Sequence, residues 1–164
     1  MKHGFIACQT TGYYATERPV NQDDILNMAK QLIQRKYQRG RLIDSPNRAA
    51  EYLPIKLAHL EQETFWALFL DNSHRILAFE QLFTGTLNQA AVYPREVVKR
   101  ALQLNAAALI FAHNHPSGES QPSRSDIEIT QKLKTALALL DTVVLDHFIV
   151  AGDTATSMAD LGLC

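Results

Sequence analysis

Between positions 113 and 126 the chain reads His-Asn-His-Pro-Ser-Gly-Glu-Ser-Gln-Pro-Ser-Arg-Ser-Asp, a run that sets two imidazoles and a carboxylate at metal-ligand spacing. Side chains alternate along an extended backbone, so His113 and His115 project to one side and Asn114 to the other. Two neutral imidazoles and the carboxylate of Asp126 suit one zinc ion per chain with its fourth position open to water. That is the pattern of a catalytic site and not of a closed structural one. Ligation requires an ionised Asp126, and its position favours this. Ser123-Arg124-Ser125-Asp126 reads as a capping box at a helix start, which puts the carboxylate in the first turn at the positive end of the helix dipole.

A catalytic zinc also needs a proton acceptor. Thr64 to Phe83 read as two strands joined by a polar Asp71-Asn72-Ser73-His74 turn. In the second strand Glu80 alternates in phase with Ile76, Ala78 and Leu82, on a face that is otherwise apolar. Desolvation raises the pKa of such a group and a nearby cation lowers it, which leaves a carboxylate able to take a proton from activated water. An edge-strand glutamate facing solvent fits the same alternation equally well.

These groups need a scaffold. Ala106 to Ala112 is nearly unbroken apolar sequence, as expected of a strand buried on both faces, and the histidines fall where it ends. Pro116-Ser117-Gly118 forces a loop, and a helix is predicted over 124–140. Its Ile129, Leu133, Ala136, Leu137 and Leu140 recur three or four apart, with Asp126 on the same inward stripe. A carboxylate on the core side of a helix needs a partner. Further upstream, a helix starts at Asn21 with Asp24 in the capping-box position, buries Ile25, Met28, Ala29, Leu32 and Ile33, and stops near Gly40. A short helix follows Ser45-Pro46. Pro94 suits the first position of a helix through Leu104, with Val97, Val98, Ala101 and Leu102 inward. Strands are predicted over 143–150 and near 154–157.

Glu80, His113-x-His115, seven residues, Ser123, two residues and Asp126 together resemble the JAMM (MPN+) metalloprotease signature, and the surrounding sequence resembles its bacterial RadC-like branch. The resemblance runs from about Phe65 to the C-terminus. It includes Leu82-Phe83-Thr84-Gly85-Thr86-Leu87, Pro94-Arg95-Glu96-Val97, Ala112-His113-Asn114-His115-Pro116-Ser117-Gly118 and Asp146-His147-Phe148-Ile149-Val150. It implies that His113, His115 and Asp126 bind zinc, that Glu80 is the general acid/base, and that Ser123 helps stabilise the oxyanion. It also implies a layered, deaminase-like α/β arrangement. Tyr93 departs from the pattern, since RadC-like chains often carry His before Pro-Arg-Glu. Some RadC chains also have an N-terminal helix-hairpin-helix that binds DNA, which the short N-terminal stretch here is not expected to hold.

At 164 residues and 46% hydrophobic, the chain suffices for one well-buried core. The expected organisation is a flexible arm over 1–20, which lacks periodicity, and a single domain over 21–164. Strands interleaved with helices make the fold class α/β, a mixed sheet flanked by helices. With only Cys8 and Cys164, neither a disulfide framework nor a cysteine zinc cluster is expected. The lack of a signal-like or membrane-length apolar run points to the cytoplasm. Net charge −1 brings no general attraction to phosphate backbones. Locally, Lys30, Arg35, Lys36, Arg39, Arg41 and Arg48 against Asp44 form either a solvated basic face or a contact for nucleic acid.

Other metal folds lack their hallmarks here. Zinc nucleobase deaminases need His-x-Glu and Pro-Cys-x-x-Cys, and amidohydrolases need a barrel of about 250 residues. His147 reads as a hydrogen-bonded structural histidine or as a group behind the ligands. The expected function is zinc-dependent hydrolysis of an amide bond in a peptide or protein substrate. The competing class is a DNA-associated or protein-binding module with a structural zinc.

Overall fold

A computed structural model describes residues 4–8, 13–36, 40, 42–43, 45–85 and 92–164. They fall in two compact units, Met1–Gln38 and Arg39–Cys164. In the first, β1 (Phe5–Ala7) and β2 (Tyr14–Thr16) pair antiparallel and are followed by α1 (Gln22–Lys36). Strands of three residues are too short to display an alternation, so this ribbon left no trace in the sequence pattern. The start of α1 is the expected box. Asp24 N–H donates to Asn21 Oδ1 at 2.8 Å, and Asn21 N–H donates back to Asp24 Oδ2 at 3.3 Å. Met28 is buried, but Ile25 is 51% exposed, against the inward place its spacing suggested. The side chains of Arg35, Lys36, Arg39 and Arg41, most of the basic stretch, lie outside the described residues.

The second unit runs α2 (Pro46–Leu57), β3 (Thr64–Leu70), β4 (Ile76–Thr84), α3 (Pro94–Leu104), β5 (Ala108–Asn114), α4 (Arg124–Ala138), β6 (Val143–Ala151) and β7 (Thr154–Ser157). Its sheet has the order β4-β3-β5-β6-β7. Every pairing is antiparallel except β5 with β6, which α4 joins as a crossover. The result is the expected mixed sheet flanked by helices. The central strand β5 is buried along its whole length, as its apolar run requires. On one face Phe65, Ala67, Phe69, Leu109 and Phe111 pack against Val97 and Ala101 of α3 and Leu133 and Leu137 of α4. Each fully buried phenylalanine contributes about 2–3 kcal/mol by apolar burial. On the other face α2 lies against β5, β6 and β7.

Two details differ from the sequence reading. Leu102 is 61% exposed, and α3 turns Val97, Val98, Ala101 and Leu104 to the core in its place. The central strand also continues through Asn114, so His113 belongs to β5 and only His115 lies beyond its end. Among the described residues no helix is long and apolar enough to cross a membrane.

Candidate metal centre

Phe65 of β3 pairs with His113 of β5, so the start of one antiparallel strand and the end of the other share one end of the sheet. The first turn of α4 reaches the same place. His113 Nε2 lies 3.2 Å from Asp126 Oδ1, His115 Nε2 lies 3.7 Å from Asp126 Oδ2, and the two Nε2 atoms are 2.7 Å apart. Glu63, the residue before β3, joins them. One of its carboxylate oxygens and ring nitrogens of His113 and His115 lie within 4.8 Å of one another, a set able to hold a metal ion.

Each group is aimed by its surroundings. His115 Nδ1 lies 2.7 Å from the carbonyl oxygen of Glu119. A carbonyl only accepts, so Nδ1 carries the proton and the Nε2 lone pair faces the centre. Asp126 is oriented by the capping box. Its N–H donates to Ser123 Oγ at 3.2 Å, and Ser123 N–H donates to its Oδ2 at 2.6 Å. Burial works to raise the Asp126 carboxyl, yet its close contact with His113, helped by Ser123, holds it well below the usual carboxylate range. On its other ring nitrogen, His113 Nδ1 meets Nε2 of His147 at 2.8 Å. Full burial, followed by the neighbouring His113, pushes His147 well below the usual histidine range and keeps its ring neutral. The two imidazoles, with Glu63 beside them and Asp126 in contact with both rings, offer electron-pair donors of the kind that a divalent cation such as zinc satisfies.

Asn114, the residue between the histidines, points to the opposite side as its phase predicts, and there it ties two segments together. Its Oδ1 accepts from Thr64 N–H at 2.9 Å and from Thr64 Oγ1 at 2.7 Å. Its Nδ2 donates to the carbonyls of Leu60 at 3.2 Å and Gln62 at 2.9 Å. The stretch that presents Glu63 is thereby fastened to the strand that presents the histidines.

Glu80 is not part of this group. Its register partner is Ala67, which in turn faces Phe111, so Glu80 sits two strands across and two residues along from His113. Strand spacing makes that about 12 Å. Its phase is as read, but the face it shares also receives Arg100 of α3, whose Nε donates to Glu80 Oε2 at 2.7 Å and whose Nη2 donates to Oε1. Those hydrogen bonds, reinforced by the charge of Arg100, hold Glu80 below the usual carboxylate range despite partial desolvation. It stands apart from the histidines and is paired with Arg100 instead of being left to solvent. The carboxylate in that place is Glu63, which the sequence reading passed over because it precedes its strand and has no phase to read. The signal that finds it is the β3–β5 pairing, a contact between distant segments.

A groove of about 690 Å³ opens over the cluster. Glu63, His115, Ser123 and Asp126 line it, whereas His113 lies fully buried behind them.

The chain matches the RadC-like JAB domain over residues 43–163. It is 55% identical over 139 residues to a UPF0758 protein of Methylibium petroleiphilum, covering 85% of this chain and 63% of the relative. It is 53% identical over 139 residues to a UPF0758 protein of Leptothrix cholodnii, with the same 85% and 63% covered. To a UPF0758 protein of Vibrio cholerae serotype O1 it is 49% identical over 152 residues, covering 93% of this chain and 96% of the relative. The chain thus spans just under two thirds of the length of the Methylibium and Leptothrix proteins. With the match covering nearly all of the second unit, including the strands and the helix start that bring His113, His115 and Asp126 together, the chain belongs to the RadC-like JAB domain family.

Proposed function

We propose that this chain is a zinc-dependent hydrolase of amide bonds, peptide or isopeptide, in which His113, His115 and Asp126 hold the metal and Glu63 exchanges the protons. The observation that carries the reading is the approach of Asp126 to both histidine Nε2 atoms, with Glu63 beside the same histidines and an open groove over them. Zinc bound there supplies a Lewis acid that polarises a carbonyl and makes water a nucleophile near neutral pH. Division of labour between the carboxylates follows from burial. Asp126 is buried and fixed by its own helix cap, as a ligand should be, while Glu63 is only partly buried and lines the groove. Its carboxylate accepts the proton of the attacking water and returns it to the leaving amine.

Ser123 has room for both roles considered for it. As a cap it uses a lone pair of Oγ, accepting from Asp126 N–H. The hydroxyl's one proton, which favours an ionised Asp126 while the groove is empty, would have to turn from that carboxylate to negative charge developing on the substrate carbonyl oxygen.

The test is zinc content together with cleavage of fluorogenic peptides and lysine-branched isopeptides, comparing wild type with Glu63→Gln. Both proteins are expected to hold one zinc per chain, with cleavage by the wild type alone. A wild-type chain that takes up no zinc on reconstitution overturns the proposal.

A further inference from the structure

We infer that His147 and Thr130 are positioning residues that lock His113 in the tautomer whose Nε2 faces the metal. The inference rests on the metal reading above and follows from a chain of buried hydrogen bonds. Thr130 Oγ1 lies 2.6 Å from the backbone carbonyl oxygen of Asp126. Two oxygens at that distance repel unless a proton lies between them, and the carbonyl has none to give, so the threonine donates. With its single proton committed, Thr130 Oγ1 must accept from His147 Nδ1, which is 2.6 Å away. His147 is fully buried and carries one ring proton, so its Nε2 keeps a lone pair and accepts from His113 Nδ1 at 2.8 Å. The proton of His113 is thereby held on Nδ1. Its Nε2 is left bare, turned toward His115 and Asp126.

The backbone is arranged for this contact. Leu109 pairs with Val144 and Ile110 with Asp146, so β6 carries one extra residue, Leu145, at a bulge. Simple alternation from Val144 would send His147 to the α2 side of the sheet. The bulge reverses the phase, and His147 instead faces Phe111, His113 and α4. The chain begins on the backbone of one proposed ligand, Asp126, and ends on another, His113. Ligating histidines more often lean on a carboxylate, carbonyl or water. A neutral imidazole in that position orients the ring without adding negative charge, which keeps the metal more electrophilic.

Zinc affinity, measured by competition with a chromophoric chelator, tests the lock in the full chain. Thr130→Val and His147→Phe are expected to bind zinc about 10- to 100-fold more weakly, the usual cost of losing a group behind a ligand. Thr130→Ser, which restores the hydroxyl, is expected to bind as the wild type does. Histidine ¹⁵N spectra of the zinc-loaded wild type are expected to show the His147 proton on Nδ1. If His147→Phe fails to fold, Thr130→Val alone carries the affinity test. Unchanged affinity in a folded Thr130→Val, with only its metal-free melting temperature lowered, reduces the residue to packing and overturns the inference. A His147 proton found on Nε2 does the same. Both results leave the metal reading intact, whereas a wild type without zinc removes that reading and this inference together.

Discussion

Replacing Glu63 and Glu80 by glutamine, one at a time, tests which of the two carboxylates takes part in the proposed hydrolysis. Glu80 is held by two hydrogen bonds from Arg100, but about a third of each side chain remains accessible (33% and 37%). Solvent screening at that exposure limits the pair to under about 1 kcal/mol. At about 2–4 °C per kcal/mol for a domain of this size, Glu80→Gln should melt no more than a few degrees below wild type. The Glu80 carboxyl is lowered in the folded state, so its contribution is complete above the ordinary glutamate pKa of about 4.3 and is lost as pH falls through the folded value. The melting difference between wild type and Glu80→Gln is therefore expected at pH 7 and absent in strong acid. Glu63→Gln should behave in the opposite way. It keeps zinc and stability while losing about 10²- to 10⁴-fold in turnover, the typical share of a general acid/base. Parallel melts, metal analysis and peptide cleavage decide the matter. Hydrolysis lost in Glu80→Gln and kept in Glu63→Gln would refute the reasoning, and zinc lost from Glu63→Gln would make Glu63 a ligand.

Further predictions concern the groups around the centre. His113→Ala is expected to lose its zinc by metal analysis, and a chelator is expected to lower the melting temperature of the wild type, because a metal bound only by the folded state adds to stability. Ser123→Ala should cost about 1 kcal/mol in thermal melts through the lost cap, and on the order of 10² in turnover if its hydroxyl also meets the oxyanion. Unchanged turnover in a destabilised Ser123→Ala would confine the residue to capping. Asn114→Ala leaves the buried Thr64 amide without its acceptor, a loss of about 1–3 kcal/mol. Denaturant melts should show that loss, and turnover should fall more than zinc affinity, because the segment cut loose is the one carrying Glu63.

Local pattern revealed most of the elements, and it singled out His113, His115 and Asp126, which the fold brings together. Pro94 opens α3 and Ser123 caps α4 where their residue types suggested, and the His113-x-His115 phase survives in β5. What stayed hidden depended on partners distant in sequence. The alternation that put Glu80 on an inward face was correct, yet nothing in β4 announces that Arg100 stands opposite it. Glu63 needed the register of β3 against β5, and His147 needed a bulge that reverses its phase. Thr130 looks like an ordinary polar residue in a helix until its hydroxyl is seen between Asp126 and His147.

The clamp made by Asn114 also bears on how the centre is assembled in time. His113, His115 and Asp126 fall within fourteen consecutive residues, so the proposed ligands need only a short loop and a helix start to meet. Glu63 arrives by another route, through the closure that brings Thr64 to Asn114 across 50 residues. Pairings between distant segments are slow to form, because loop-closure entropy must be overcome before the contacts are made. If the proposed roles hold, a nascent or partly melted chain would gather His113, His115 and Asp126 before Glu63, and hydrolysis would wait on completion of the central sheet.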